Sequence, residues 1–297
     1  MPETGWLWVL FTVIAAASQT IRNATQRSLS ASLGTAGATH VRFLFGFPFA
    51  LVFLGLVLVA TGEPMPRPAG IFWAWLTDGA LAQIAATALM LAAMNDRSFV
   101  VVYAYIKTEP VQVALFGLIL LGDAVTPLMA IAILVATCGV VLTALRGGAT
   151  LGWRSTLLGL AAAAMFGLSA TGYRGAILSL ELPNYLMAAT FTMTVGLLVQ
   201  VVLLSAYLAL RDPSVMRAIL KAWKPSMLAG FLGAFASQFW FLAFALASAA
   251  SVRTLALVEV LFAQAISRFV FGQVTTQREA YGIVLIVIGV ALLLFAH

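Results

Sequence analysis

Ten stretches of roughly 20 predominantly apolar residues, each the length that crosses a bilayer as a helix, can be laid along this chain. They lie at about 6–27, 37–60, 71–94, 98–121, 125–145, 155–178, 185–210, 226–247, 249–271 and 277–296. The runs are continuous rather than alternating. Hydrocarbon offers a backbone no hydrogen-bonding partner, so a spanning segment must satisfy its own amides, and a continuous apolar run does so as a helix, whereas a barrel strand would alternate. With 63% hydrophobic and 9% charged residues, polar surface is too scarce to coat a soluble globule. The expected fold is an all-α membrane protein of ten transmembrane helices. The separators are short and rich in turn formers, such as Gly62-Glu63-Pro64-Met65-Pro66, Asn95-Asp96-Arg97, Gly147-Gly148 and Leu182-Pro183-Asn184. Only 211–225 reads as a longer polar loop. The single Cys138 leaves no disulfide framework and no cysteine metal site.

The stretch 100–142 returns, weakened, at 250–292. A shift of 150 residues carries Val102 to Val252, Glu109 to Glu259, Gly122 to Gly272, Thr126 to Thr276, Gly139 to Gly289 and Leu142 to Leu292. A shift of 147 carries Gly5-Trp6 to Gly152-Trp153 and Arg27 to Arg174. One structural unit is therefore present twice, as 1–147 and 148–297, each half holding five of the runs. Because five is odd, the second half must enter the membrane from the opposite face. The expected arrangement is two inverted five-helix repeats, which is a transporter architecture.

Each half also carries an apolar segment with a central Glu, then Gly, a polar turn, Thr, and an apolar segment with a late Gly. This order of parts, together with the duplication, resembles the EamA-type half of the drug/metabolite transporter superfamily over nearly the whole chain. The resemblance implies a midplane cavity between the repeats, lined by helices 1 to 4 and 6 to 9, with helices 5 and 10 outside. A polar or acidic residue ahead of a Pro is common in that family at the central position. Glu109-Pro110 matches it, and Glu259-Val260 departs from it.

Lys and Arg in the connections set orientation. Arg27, Arg97, Arg146, Arg154, Arg211, Arg217, Lys221, Lys224 and Arg278 fall on one side, against Arg67, Arg174 and Arg253 on the other. This bias places both termini outside the cytoplasm of an inner-membrane protein. It accounts for the net charge of +6 without a nucleic-acid partner. The N-terminal apolar stretch ends in Ala15-Ala16-Ala17-Ser18, but Met1-Pro2-Glu3-Thr4 has no basic region and the stretch has an internal counterpart, so it reads as helix 1 rather than a signal peptide.

Polar groups inside apolar runs are costly and normally face a bundle interior or a water-filled path. Gln19, Arg22, Asn23 and Gln26 share an arc of about 100° on helix 1. Two readings of this stripe stand: it lines a substrate path, or Arg22 and Arg27 snorkel to headgroups while the amides bond neighbouring helices. His40 and Arg42 open helix 2 and read as anchors. Helix 3 places Gln83, Thr87, Met90 and Met94 on one face. Their counterparts on helix 8 are Gly233, Ser237, Trp240 and Phe244, a small and aromatic wall suited to an apolar side chain or to ordinary packing. Trp6, Trp8, Trp73 and Trp75 read as interfacial residues.

Helix 4 holds Tyr105, Glu109 and Gln112 within an arc of about 60°. Pro110 removes a backbone hydrogen bond and is expected to bend that helix. Lys107 and Glu109 are too close in sequence to face each other, so their partners must lie on other helices. Glu259 has apolar Leu255 and Phe262 on its face, and Glu109 is therefore expected to matter more. Glu109, Pro110 and Glu259 are the coupling or gating candidates. Arg268 is a further deep cation.

No P-loop, GxGxxG, HExxH, CxxC or GxSxG occurs. No catalytic residue, metal or cofactor is assigned, and without a Walker A motif any driving force comes from a gradient. The reading is a secondary transporter exporting small metabolites, and the residue content is most similar to the YddG-like exporters of aromatic and other apolar amino acids. The substrate-contacting candidates are the helix 1 stripe with Gln83, Thr87, Met90, Tyr105, Glu109, Gln112, Ser237, Trp240 and Phe244. Export of cationic drugs or another metabolite stays open, as does an intramembrane enzyme on a lipid-linked substrate, for which Glu109, Glu259 and His40 are too scattered. The expected partners are a small-molecule substrate and the bilayer, with a monomer or homodimer as the assembly.

Overall fold

The computed structural model describes residues 5–96, 102, 105–144, 153–262, 264 and 276–296, with the side chains of 23–32, 35, 38, 91, 94–96 and 225 outside the description. All regular structure among the described residues is helical. The helices are α1 (Leu7–Leu44), α2 (Phe47–Thr61), α3 (Gly70–Asp96), α4 (Glu109–Phe116), α5 (Pro127–Ala144), α6 (Trp153–Leu178), α7 (Tyr185–Arg211), α8 (Pro213–Lys221), α9 (Trp223–Leu246), α10 (Ala249–Leu255) and α11 (Gln277–Phe295). A π-helical turn, Gly117–Leu121, continues α4, and a 3₁₀ turn, Ala256–Val258, continues α10.

Among the described residues, five segments are long and apolar enough to cross a bilayer: Thr39–Thr61, Trp153–Leu178, Tyr185–Arg211, Ser226–Leu246 and Gln277–Phe295. Leu7–Arg22, Glu109–Leu121 and Pro127–Thr143 are shorter apolar helices. The chain thus has the all-helical, apolar character of a membrane protein.

The chain forms two compact units, and each draws on residues from both 1–147 and 148–297, the two stretches expected as repeats. Unit 1 comprises Met1–Ile84 and Gly172–Leu246; unit 2 comprises Ala85–Thr171 and Ala247–His297.

In unit 1, α1 runs along α9, and α7 packs on α2 and α9. α1 is broken at Gly34, whose φ of 66° and ψ of 179° lie in a region that only glycine visits freely. Near the end of α1 the backbones of two segments touch. A Cβ on Gly230 would lie 2.4 Å from the Phe45 carbonyl carbon, so a larger residue there would push α9 away. Asn184 caps α7, its side-chain oxygen accepting from the amides of Leu186 at 3.0 Å and Met187 at 3.3 Å, as an N-cap does for otherwise unpaired donors.

The connection at 211–225, expected as a polar loop, contains α8. Asp212 caps it by accepting from the Val215 amide, and Pro213 occupies its first turn, where the missing N–H costs nothing. Ile219 is fully buried with Leu33, Val41, Leu208 and Ala229, and Val215, Met216, Ala218 and Ala222 pack against them. The period-3.6 spacing of these apolar residues, diluted by Arg217, Lys221 and Lys224, makes an amphipathic helix where net polarity alone suggested a loop.

In unit 2, α5 runs along α11. The contact rests on glycine: a Cβ on Gly289 would meet the Ala136 amide nitrogen at 2.5 Å, and one on Gly282 would meet the Gly139 carbonyl at 2.6 Å. Small residues allow this backbone approach where no hydrophobic drive between helices exists. α11 begins with a capping box, the Glu279 carboxylate accepting from the Thr276 amide at 2.8 Å while Thr276 Oγ1 accepts from the Glu279 amide at 3.3 Å.

The run expected as one helix at 98–121 turns at Lys107–Thr108, where the Thr108 amide bonds the Tyr105 carbonyl and the Val111 amide bonds the Thr108 carbonyl. Pro110 therefore stands in the first turn of α4 and opens a helix rather than bending one. The corresponding segment of the second half also changes geometry, at the 3₁₀ turn preceding Glu259, although no proline is present there.

Candidate functional site

Unit 2 contains a set of four buried charges. Glu109, at the first position of α4, forms an ion pair with Arg253, Oε1 to Nε at 3.1 Å without the alignment of a hydrogen bond, and Lys107 Nζ pairs with Glu259 Oε1. All four side chains are at most 15% exposed. The Glu109 carboxylate and the Arg253 guanidinium also lie close enough to act on the Lys107 ammonium. The two Glu residues are repeat equivalents, but their partners are not: the 150-residue shift carries Lys107 to Leu257 and Tyr103 to Arg253. Each half thus supplies one carboxylate and one cation, and the pairs cross between halves. Lys107 finds its partner on another segment, as its spacing from Glu109 demands. Glu259, beside Leu255 and Phe262 in sequence, is as well partnered as Glu109.

Around this set, Tyr105 Oη accepts from Thr156 Oγ1 at 3.0 Å, and Thr108 Oγ1 donates to the Tyr105 carbonyl at 2.6 Å. Gln112 lies one turn beyond Glu109, with a buried Oε1 that has no hydrogen-bond partner among the described residues. Pro110 is buried. Thr87 is buried, and Met90 packs on Ala93, Val102, Ile106 and Ala162. The helix 3 face expected as a single wall is divided, because Gln83 belongs to unit 1.

Unit 1 carries a second polar group. Trp240 Nε1 donates to Gln19 Oε1 at 3.1 Å. Its indole stacks on Phe244 with centroids 6.2 Å apart and planes inclined by 23°. The Phe244 carbonyl accepts from Arg174 Nη1 at 2.6 Å. Gln83 Oε1 accepts from Gln200 Nε2 at 2.6 Å and from Tyr173 Oη at 3.3 Å, and the Tyr173 ring lies 4.7 Å from that of Phe241.

Arg22 is 6% exposed, and it approaches α9 at Gly233. A Cβ there would stand 3.9 Å from Arg22 Cδ and 3.1 Å from Arg42 Cγ, so the glycine makes room for both arginine stems. Ser237 is buried one turn beyond Gly233. His40, read from the sequence as an anchor, is fully buried with Nε2 3.0 Å from Ser205 Oγ. Trp8 is likewise interior, while Trp6 and Trp73 are exposed. The side chains of Asn23, Gln26, Arg27 and Met94, and all of Arg97, Arg146 and Arg268, lie outside the described residues.

The sequence reading did not single out Tyr173, Gln200 or Asp78, and it counted Arg174 and Arg253 among loop residues. Both arginines are inside helices. Asp78 has a buried Oδ2 without a hydrogen-bond partner among the described residues, against Gly172, where a Cβ would lie 2.8 Å away. The available signal was the plain one: each is a polar residue within a run that should have excluded it. Among the described residues no three His, Cys, Asp or Glu side chains gather as a metal site.

No protein-family model and no curated protein matches this chain. Among solved structures, 28 chains match it. One, described only as "Crystal structure of protein", superposes with a TM-score of 0.71 at 15% sequence identity, over 97% of this chain and 99% of that one. At that identity the likeness is one of fold. The fold described above is thus shared with a solved protein along nearly its whole length.

Proposed function

We propose that this protein is a secondary membrane carrier that exports small metabolites, chiefly aromatic and other apolar amino acids, by gradient-driven alternating access. The observation that carries the reading is the buried set of Lys107, Glu109, Arg253 and Glu259, beside the turn that precedes Glu109 and the 3₁₀ turn that precedes Glu259. Buried charges in an apolar bundle cost free energy, and broken helices with paired charges are how carriers hold and release charged solutes near mid-membrane. The order of parts that resembles the drug/metabolite transporter superfamily supports the same reading, as does the sequence match of 100–142 with 250–292, and two inverted five-helix repeats at 1–147 and 148–297 are part of the proposal. The basic-residue bias supports a cytoplasmic-membrane location with 211–225 inside and both termini outside.

The substrate class rests on unit 1. A zwitterion needs a cation for its carboxylate and an apolar surface for its side chain; Arg22 supplies the first, and the stacked Trp240 and Phe244 the second. Burial of an aromatic side chain is worth about 1.5–3 kcal/mol, or roughly ten- to 150-fold in affinity. That separates Phe from Ala but not sharply from Met, so broad apolar specificity follows. Export of cationic drugs is a second reading, favoured by the buried Asp78 Oδ2.

Uptake of labelled Phe, Met, Thr and Asp into liposomes holding the purified protein tests the assignment, with a tetraalkylammonium cation alongside. Phe and Met are expected to move fastest, and Trp240→Ala to reduce Phe transport at least tenfold by the same estimate. Dominance of Asp removes the substrate assignment, and dominance of the organic cation favours the second reading.

A further inference from the structure

We propose that α8 and the residues just after it form a binding surface for anionic phospholipid. The helix joins two segments long and apolar enough to cross a bilayer, Tyr185–Arg211 and Ser226–Leu246, which holds it at one membrane surface. Its packed face is occupied by Val215, Ala218, Ile219 and Ala222 against the core of unit 1. At about 100° per residue, Arg217 and Lys221 lie opposite that face. They are exposed, as are Arg211 and Lys224.

Asp212 is the acidic residue of the segment, and its carboxylate is engaged by Ser214 Oγ at 2.5 Å and by the Val215 amide at 3.3 Å. The exposed surface is therefore strongly cationic. Beside these cations stand Leu220 and Trp223, 57% and 51% exposed, with Lys224 Nζ 5.8 Å from the Trp223 ring centroid. A soluble anion has no use for the exposed apolar pair. A phospholipid uses both parts: its phosphate sits among Arg217, Lys221 and Lys224 while Leu220 and Trp223 enter the boundary between headgroups and acyl chains.

The test uses the full-length protein with Cys138→Ala and Ser214→Cys, labelled with bimane on the new cysteine and reconstituted in phosphatidylcholine liposomes. Phosphatidylglycerol or phosphatidylcholine brominated near the headgroup is added at equal mole fraction, and quenching is measured. Phosphatidylglycerol is expected to quench at about a hundredfold lower mole fraction than phosphatidylcholine. Each cation near an anionic surface contributes about fivefold, so Lys221→Gln should lower the preference by about that factor. The triple variant Arg217→Gln, Lys221→Gln, Lys224→Gln should abolish it with unchanged thermal unfolding. Equal quenching by the two lipids in the parent protein overturns the proposal, as does a preference that survives the triple variant. Loss of the preference on adding inorganic phosphate at constant ionic strength overturns it too, and points to a site for free anions.

Discussion

Replacing Glu109 with Gln removes one of two carboxylates from a set of four buried charges, and the structure sets the cost. At 3.1 Å and an effective dielectric of about 20, the attraction to Arg253 is about 5 kcal/mol before desolvation is counted. Desolvation of both ions offsets most of it, so the pair as a whole adds little. Removing one member is different, because it leaves a buried cation without compensation, at a cost of about 3–5 kcal/mol. The set is neutral in the native protein, +1 in Glu109→Gln, −1 in Arg253→Gln and neutral again in the double variant. Each single change should therefore cost about 3 kcal/mol, and the double, which leaves no uncompensated charge, only about 1, short of additivity by about 5 kcal/mol. Unfolding in mixed dodecyl maltoside and sodium dodecyl sulfate micelles, followed by far-ultraviolet circular dichroism, measures all four species. Strict additivity, or single changes costing below about 1 kcal/mol, would refute the premise that these charges are desolvated and paired. Because Glu259 has Lys107 as Glu109 has Arg253, Glu259→Gln should slow transport about as much as Glu109→Gln, and not less.

Gly289→Ala should destabilise the protein by about 1–3 kcal/mol, since its Cβ would stand 2.5 Å from the Ala136 amide nitrogen, whereas Gly55→Ala, with open space around it, should be neutral; thermal unfolding in detergent compares them. The Ser214 hydroxyl, and after it the Val215 amide, hold the Asp212 carboxyl below its ordinary value of 3.8, so the cap's contribution is complete above that value and is lost as pH falls through the lowered folded one. Hydrogen exchange in α8 should accordingly be flat from pH 7 to pH 5 after correction for intrinsic rates, and Asp212→Ala should raise it throughout; a protection step near pH 6 would contradict this. A cysteine at Ser214 in a Cys138→Ala background should resist impermeant maleimide in intact cells and react after lysis, and labelling in intact cells would reverse the proposed orientation.

Much of this protein was written in one dimension. Continuous apolar runs can satisfy their backbones in hydrocarbon only as helices, and helices are what fold. The charge spacing at Lys107 and Glu109 forbids their pairing on one helix, and the structure gives each a partner elsewhere. Periodicity, however, reports which residues share a face of one helix and says nothing of which other segment meets that face. The crossing of Lys107 to Glu259 and of Arg253 to Glu109, the hydrogen bond from Trp240 to Gln19, and the meeting of Gln83 with Tyr173 and Gln200 were all decided by tertiary packing. So was the change of helical geometry before Glu259, where no proline marks the chain. Arg174 and Arg253 illustrate the same limit. In sequence they stand near the ends of apolar runs and read as loop cations, but each stands inside a helix with a partner that only the folded chain provides, the accepting Phe244 carbonyl for one and the Glu109 carboxylate, as an ion pair, for the other.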